Sequence, residues 1–422
     1  MSKNPENIPA YYGGKKTINY KFKKYNSIGM NELVAASKVI KSGNLSGFTA
    51  GQDKDFYGGP YVHKFENYLK KFYNVKYAIT LNSWTSGLIA AVGALDIEPG
   101  DEIITTPWTM CACATAILHW NALPVFADID KETFCISPES IKKNITKKTK
   151  AILAVDIFGI SADIKAIKKI IKGKDISIIS DSAQTPYFST GNKLAGTISD
   201  IGGFSLNCHK HINTGEGGIV VTNNTKLASR VFKLRNHAEA AVKKNDKINN
   251  MIGYNFRMGE IEAAIGLSQY KKLKKIITSR NKLLNYLAKE INGLDGIKVN
   301  TSEKRLNNYY IFPIVLDLKK LKVTRTKFIK LLNAEGVTGL VEGYANIHQL
   351  PLFQKKIAYG KKGFPWNLSR NNINYKKGTC PVAEYLHEKS FVGLEVCLYS
   401  LTKKDILNIS SAFKKIWKYL NI

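Results

Sequence analysis

Short apolar runs alternate with helical patterns through the middle of this chain of 422 residues. The runs have the length and the β-branched or aromatic content that are typical of strands. They cover residues 77–81, 102–105, 124–127, 151–155, 176–180, 203–206 and 218–222. Segments between them, such as 85–95 and 160–172, favour helices. This alternation predicts a three-layer α/β/α fold in which helices cover both faces of a mainly parallel, mixed sheet.

The pattern changes after the last of these runs. Apolar residues at helical spacing over 259–292 predict one long amphipathic helix, and glycines at 293 and 296 end it. Beyond it, residues 309–316 and 337–341 resemble strands, 324–335 resembles a helix, and 359–379 is expected to be a long loop. We therefore expect an N-terminal segment (1–45), a large domain (46–290) and a smaller C-terminal α+β domain (291–422).

The charge of the chain is strongly positive, with 63 Lys and Arg against 33 Asp and Glu, a net charge of +30. Such a balance can indicate nucleic-acid binding. Here the lysines are spread along the chain, and no nucleic-acid-reading motif accompanies them. A compositional bias, or a positive field that attracts phosphate-bearing substrates, explains the charge better. A basic nucleic-acid-binding protein stays an alternative of a different class.

The location of the protein is suggested by what its sequence lacks. No apolar run approaches the roughly 20 residues that cross a bilayer, and residues 1–12 do not resemble a secretory signal. The six cysteines show no paired C-x-x-C spacing, so we expect reduced thiols and no metal site. These features predict a cytoplasmic protein without a membrane span.

Candidate chemistry lies between positions 181 and 218. Asp181 follows an apolar strand, and Ser205 and Lys210 lie in and just after the next one, ahead of a T-G-E-G-G turn. Ligands bind at the carboxyl ends of strands in α/β sheets. This order of groups suits an enzyme that holds pyridoxal 5'-phosphate (PLP). The lysine would form a Schiff base, the carboxylate would keep the pyridine nitrogen protonated, and small polar groups would bind the phosphate.

A second polar segment, N-S-W-T-S-G, lies between the first predicted strand and its helix. Backbone N–H groups at a helix N-terminus favour a phosphate. Ser83 and Thr85 are therefore candidate phosphate ligands, and a plain helix N-cap is the alternative.

Six motifs in order resemble the DegT/StrS sugar aminotransferases, PLP enzymes of fold type I in the aspartate aminotransferase superfamily. They read N-S-W-T-S-G-L, T-T-P-W-T-M, P-V-F-A-D-I-D, D-S-A-Q, F-S-L-N-x-x-K-x-x-x-T-G-E-G-G and G-Y-N-F-R-M-G-E-I-E-A-A-I-G. The match covers roughly residues 43–266, with a looser match at I-H-Q-L-P and C-P-V-A-E.

The resemblance implies a role for each matching residue. Lys210 would hold the cofactor and shuttle the proton, Asp181 would pair with the pyridine nitrogen, and Gln184 would contact the phenolic oxygen or the ring. The implied phosphate ligands are Ser83, Thr85 and Ser205, joined by Asn255 from the other subunit. That last role implies a homodimer with composite active sites.

Two positions depart from the family pattern. Trp84 stands where the family has glycine, and Met110 occupies the slot of an aromatic residue that stacks on the cofactor, with Trp108 two positions earlier. Relatives that carry histidine in place of the lysine are sugar 3-dehydratases. Counting five residues from Ser205 reaches Lys210, and five more reach Gly215, so the spacing selects lysine over its histidine neighbours.

The implied reaction moves an amino group from glutamate or glutamine to a keto sugar. We expect a nucleotide-linked 4-keto-6-deoxy sugar used for a surface glycan such as lipopolysaccharide O-antigen. A keto-cyclitol or keto-octulosonate acceptor, a sugar dehydratase and a PLP-sensing regulator are the alternatives. Further candidate substrate ligands are Trp108, His209, Arg257 and His348, and Arg257 could instead pair with Glu260.

Overall fold

A computed structural model describes residues 7–49, 54–238, 251–299, 306–369 and 372–420. Its strands are β1 (Tyr77–Leu81), β2 (Glu102–Thr105), β3 (Leu123–Phe126), β4 (Thr149–Val155), β5 (Ser177–Asp181), β6 (Ser189–Thr190), β7 (Lys193–Leu194), β8 (Ile201–Ser205), β9 (Gly218–Thr222), β10 (Ile297–Lys298), β11 (Phe312–Leu316), β12 (Leu340–Val341) and β13 (Phe391–Leu394). Its α-helices are α1 (Met30–Ser42), α2 (Pro60–Tyr73), α3 (Trp84–Gly93), α4 (Ala112–His119), α5 (Pro138–Asn144), α6 (Ile164–Ile170), α7 (Thr225–Arg235), α8 (Glu260–Ile291), α9 (Leu318–Leu321), α10 (Arg325–Ala334), α11 (Pro351–Lys355), α12 (Pro381–Tyr385) and α13 (Lys403–Leu420).

The main sheet confirms the predicted fold class. Its strand order is β1-β9-β8-β5-β4-β2-β3, and the pairs from β8 to β3 are all parallel. Strand β9 runs antiparallel to both of its neighbours, which makes the sheet mixed. All seven predicted strands are present within two residues of their expected bounds.

Successive residues of the strands face opposite helical layers, because side chains alternate across a sheet. In β9, Ile219 and Val221 belong to a core with α2 and α8, whereas Val220 belongs to the core that contains α3 and α4. In β1, Ala78 faces the first layer and Ile79 the second. The sheet is therefore buried on both faces, as the continuous apolar runs predict.

A second, antiparallel sheet has the order β10-β11-β13-β12. It shares a core with α10, α13 and the C-terminal part of α8, and Ile18 and Phe22 of the N-terminal segment join that core. The long helix α8 thus contributes to both cores, as one continuous element of 32 residues. The domain boundaries at 45/46 and 290/291 stay predictions.

Three predicted elements are shorter than expected. The strand predicted over 337–341 is only β12 (Leu340–Val341), and Gly339 before it has a φ of 81°. Helix α6 begins only at Ile164, where the Asp163 side chain accepts the Ala166 N–H at 2.9 Å and caps it. Strand β11 begins at Phe312, because Tyr309 has a φ of 38°, which is incompatible with a strand. Helices α1 and α13 were not among the elements that the sequence pattern predicted.

The predicted loop over 359–379 contains one 3₁₀ turn, Trp366–Leu368, in its described part. The loop is anchored to the large core. The buried Trp366 indole donates to the Tyr375 hydroxyl at 3.0 Å, and that hydroxyl donates to the Pro124 carbonyl at 2.7 Å. None of the helices in the described ranges is both long and apolar enough to span a bilayer.

Candidate active site

A cavity of about 360 Å³ opens at the carboxyl ends of β4, β5 and β8. Asp156 follows β4, Asp181 ends β5 and Ser205 ends β8, and all three residues line the cavity. The parallel pairing of these strands brings their last residues to one edge of the sheet. The cavity is completed by the first turn of α3 and by Tyr310 and Tyr344 from the C-terminal third of the chain.

Asp181 is buried and held by neutral donors. Its Oδ1 accepts the Trp84 indole N–H at 2.7 Å and the Ala183 backbone N–H at 3.1 Å, and its Oδ2 accepts the Cys113 thiol at 3.1 Å. Burial, and then the charge of Asp181, raise the pKa of the Cys113 thiol, so it stays a protonated donor. A buried carboxylate with uncharged partners favours a cationic ligand.

Lys210 lies in a tight turn after β8. The turn is closed by the Lys210 N–H to the Asn207 carbonyl at 2.9 Å and by the Thr214 N–H to the Leu206 carbonyl at 3.0 Å. The ammonium nitrogen lies 4.3 Å from the centre of the Tyr310 ring. Burial lowers the pKa of Lys210, and the negative charge of Asp181 opposes this shift. Lys210 is therefore more easily converted to the neutral, nucleophilic amine than a surface lysine is.

The first turn of α3 combines the two alternatives that the sequence left open. Ser83 caps the helix, accepting the Ser86 N–H at 3.0 Å, and it also lines the cavity together with Thr85. At the end of β8, the Ser205 hydroxyl accepts the Asn207 N–H at 3.2 Å and lines the same cavity. These hydroxyls and a helix N-terminus form an environment that suits a phosphate. Their role as phosphate ligands stays a prediction.

The Gln184 amide has a fixed orientation beside the cavity. Its Oε1 accepts the Phe158 N–H at 2.7 Å, and its Nε2 donates to the Tyr344 hydroxyl at 3.0 Å. Burial raises the pKa of Tyr344 to about 12, so its hydroxyl stays protonated at neutral pH. Gln184 can thus present a defined face to a bound ring.

The two departures from the family pattern have different structural contexts. Trp84 is the first residue of α3, and its φ is not positive. The loop therefore does not need the conformational freedom of glycine at this position. Met110 lines the cavity with its side chain 55% exposed, where it can cover a ring face through its polarisable sulfur. Trp108 instead lies in the core, packed against Phe391 at a ring distance of 4.9 Å.

The four candidate substrate ligands lie in different environments in the structure. His209 lines the cavity. Trp108 and His348 are fully buried outside its lining, and the His348 Nε2 pairs with Glu384 Oε1 at 2.9 Å. Trp108 and His348 therefore pack in the core of this chain rather than against the cavity.

Arg257 and Asn255 also lie outside the cavity lining within one chain. Arg257 donates from Nε to Asn236 Oδ1 at 2.8 Å. The alternative pairing with Glu260 is replaced by a different contact, because the Glu260 carboxylate accepts the N–H groups of Tyr61 and Val62 at the start of α2. Asn255 is exposed, and a role in another subunit's site stays a prediction.

The sequence analysis missed several residues of the cavity lining, among them Asp156, Tyr310 and Tyr344. Asp156 directly follows a predicted strand, so the strand-end rule that selected Asp181 could also have selected it. Tyr310 and Tyr344 come from segments far along the chain, where no local pattern distinguishes them from core tyrosines.

Asp156→Asn should remove a pH-dependent loss of stability. Burial raises the pKa of Asp156 from 3.8 to about 6. Between these values the unfolded chain ionises while the folded protein stays protonated, so folding stability falls as the pH rises. The total change from this group is on the order of 3 kcal/mol. Urea unfolding of both proteins from pH 3.5 to 7 measures it. The wild type should lose stability relative to the variant across this window, and a pH-independent difference would contradict the assignment.

Comparison with known proteins places these residues in a family. The sequence model of the DegT/DnrJ/EryC1/StrS aminotransferase family matches residues 49–375. This chain belongs to that family. GDP-perosamine synthase of Vibrio cholerae is 32% identical over 296 residues, which are 70% of this chain and 80% of that protein. The spore coat polysaccharide biosynthesis protein SpsC of Bacillus subtilis is 30% identical over 367 residues, 85% of this chain and 90% of that protein.

A solved structure shows the same fold with the cofactor present. The E. coli GDP-4-keto-6-deoxy-D-mannose-3-dehydratase with bound hydrated PLP is 25% identical and matches with a TM-score of 0.77. The match covers 94% of this chain and 99% of that one. This DegT/DnrJ/EryC1/StrS family member is thus a PLP-dependent aminotransferase, as the resemblance implied.

The cavity of this family member fits PLP. The lysine amine suits the aldehyde of the cofactor, and the helix N-terminus with its hydroxyl groups suits the phosphate. The buried carboxylate suits the pyridine nitrogen, because its described hydrogen bonds include no cationic partner. When bound, PLP supplies an electron-withdrawing ring that makes a proton on an adjacent carbon removable. Lys210 is placed to take and return that proton at Nζ. The Asp181 carboxylate would pair with the ring nitrogen, and Gln184 would contact the ring.

Proposed function

We propose that this aminotransferase moves an amino group from glutamate or glutamine to the keto carbon of a nucleotide-linked 4-keto-6-deoxy sugar for a surface glycan. The proposal rests mainly on Lys210, whose pKa is lowered by burial and which lines the same cavity as the buried Asp181 carboxylate. The name of the V. cholerae relative supports a nucleotide-sugar substrate. The net charge of +30 also suits a diphosphate-bearing substrate.

A sugar dehydratase is the second candidate, because the matched E. coli structure is named as one. A sugar dehydratase removes water from the keto sugar and leaves no nitrogen on it, and such relatives carry histidine in place of the lysine. Here Lys210 and His209 both line the cavity, whereas His211 is buried outside its lining. The spacing of five residues from Ser205 assigns the cofactor-binding position to Lys210 and not to His209. This assignment favours transamination.

Two half-reactions test the proposal. Glutamate or glutamine added to the purified yellow protein should remove the visible absorbance of PLP by converting it to its amine form. A nucleotide-linked 4-keto-6-deoxy sugar should then restore the absorbance and appear as an amino sugar by mass spectrometry. A free keto-cyclitol and a keto-octulosonate serve as competing acceptors. A sugar product that has lost water and gained no nitrogen would overturn the proposal in favour of a dehydratase.

We also propose that the enzyme is a cytoplasmic homodimer whose sites combine residues of two chains. An exposed apolar surface on α1 supports the dimer. Its residues Met30, Leu33 and Ile40 are each at least 59% exposed. A helix face of this kind indicates a contact surface. The exposed position of Asn255, outside its own cavity, is compatible with a contact to the partner's cofactor phosphate.

Mixing two variants with different defects tests the composite site. Asn255→Ala should weaken PLP binding by about 1–3 kcal/mol, the value for a lost hydrogen bond to a charged group. Lys210→Ala should abolish turnover. In a heterodimer, one site carries both defects and the other carries none, so random mixing should leave about a quarter of all sites intact.

Activity of the mixture should be measured at PLP concentrations that do not saturate Asn255→Ala alone. Chains with different mass tags show whether heterodimers form. Recovered activity supports the composite site. Heterodimers that form without any recovery would show that Asn255 acts within its own chain.

A further inference from the structure

The two oxygens of the Asp181 carboxylate are not equivalent. A carboxylate oxygen offers about two lone-pair positions. Oδ1 accepts two N–H groups, from Trp84 at 2.7 Å and from Ala183 at 3.1 Å. Among the described residues, Oδ2 accepts the Cys113 thiol at 3.1 Å, a weak donor. The carboxylate therefore keeps its free acceptor position on Oδ2.

The Trp84 indole is fixed where it makes this hydrogen bond. Its six-membered ring lies against two glycines, Gly87 of α3 and Gly203 of β8. A Cβ atom at Gly203 would come within 2.1 Å of the ring, and one at Gly87 within 2.6 Å. Because both neighbours lack a side chain, the large indole fits between helix and sheet with only 6% of its surface exposed. In this position its N–H points at Asp181 Oδ1.

We propose that Trp84 is the positioning residue for Asp181. Its indole N–H, together with the Ala183 amide, occupies Oδ1 and leaves Oδ2 as the acceptor for the protonated ring nitrogen of PLP. The orientation of the carboxylate is then set before the cofactor binds, which reduces the cost of ordering it on binding. The inference rests on the placement of PLP in this cavity, and it assigns a role to the position where this chain departs from its family's glycine.

A double-mutant cycle on the full-length chain tests the proposal. PLP dissociation constants are measured for the wild type, Trp84→Phe, Asp181→Asn and the double variant. Phenylalanine keeps most of the ring volume and removes the N–H. Trp84→Phe should weaken PLP binding by up to about tenfold, because the carboxylate must then be ordered when the cofactor binds. In the Asp181→Asn background the same substitution should have less than about a threefold effect, because the two side chains act through one contact.

Trp120→Phe is the matched control. The Trp120 indole donates to the Ile89 carbonyl at 2.8 Å, and neither residue lines the cavity, so the loss of this bond should lower stability and leave PLP affinity unchanged. Equal effects of Trp84→Phe in both backgrounds would overturn the proposal, since Trp84 would then act only by packing. An equal loss of PLP affinity in Trp120→Phe would also overturn it.

The indole N–H resonance gives a readout that does not depend on activity. The Trp84 signal in a ¹H–¹⁵N spectrum is assigned by its absence from Trp84→Phe. Asp181→Asn should shift this signal and leave that of Trp120 in place, and an unmoved Trp84 signal would overturn the proposed contact. A wild type that binds no PLP would defeat the cofactor assignment as well, whereas PLP binding with additive effects defeats this proposal alone.

Discussion

Lys210→Ala is expected to abolish transamination while the protein still binds PLP or its amine form. The phosphate and ring contacts remain in the variant, but the amine that holds the cofactor and carries the proton is gone. Acid–base catalysis alone accounts for about 10²–10⁴-fold in rate, so turnover should fall by at least about 10³-fold. Steady-state assays with glutamate and keto sugar, alongside measurement of bound cofactor, test this result.

Lys275→Ala is the matched control for this variant. Lys275 is exposed on α8 and lies outside the cavity lining, so its removal should leave turnover near that of the wild type. Small primary amines added to Lys210→Ala should restore part of the activity by carrying the proton in place of the side chain. If Lys210→Ala retains more than a tenth of the wild-type rate, the assigned role is wrong.

Asp181→Asn is expected to retain the cofactor and lose most of its activity. The amide carries no charge to favour the protonated pyridine nitrogen, so the ring becomes a weaker electron sink. A hydrogen bond to a charged group contributes about 1.5–3 kcal/mol, which corresponds to a loss in kcat of up to about 100-fold. Single-turnover measurement of the glutamate half-reaction isolates this step from product release.

Asp200→Asn provides the comparison for Asp181→Asn. Asp200 lies just before β8, at the opposite edge of the same sheet, and its carboxylate accepts the Ile178 N–H at 2.8 Å. Its substitution should affect stability and leave the half-reaction rate unchanged. Equal rates for Asp181→Asn and the wild type would identify Asp181 as a turn residue.

The sheet was predictable because its strands carry their signal locally. Continuous apolar runs of four to seven residues mark strands that are buried on both faces, and the predicted and observed bounds differ by two residues at most. The direction of β9 was not predictable in this way. Its run of apolar residues is the same in either direction, and only pairing with β1 and β8 decides it.

The site was predictable where its residues follow strands in sequence. Asp181, Ser205 and Lys210 belong to one stretch, and the structure brings them to one cavity. Tyr344 reaches that cavity through a hydrogen bond to Gln184 across 160 residues, which no local pattern encodes. Trp108 and His348 lie in motifs that resemble site segments, but their side chains fill the core. A motif thus located the segment without settling which of its side chains face the ligand.

The central claim, that Lys210 holds PLP in this cavity, is tested most directly by reduction and peptide mapping. Borohydride converts the C=N bond between lysine and PLP into a stable single bond, and mass spectrometry of the digested protein then locates the added group. We expect the visible absorbance to disappear and the modification to lie on the peptide that contains Lys210. A modification on another lysine, or a protein that carries none, would contradict the account.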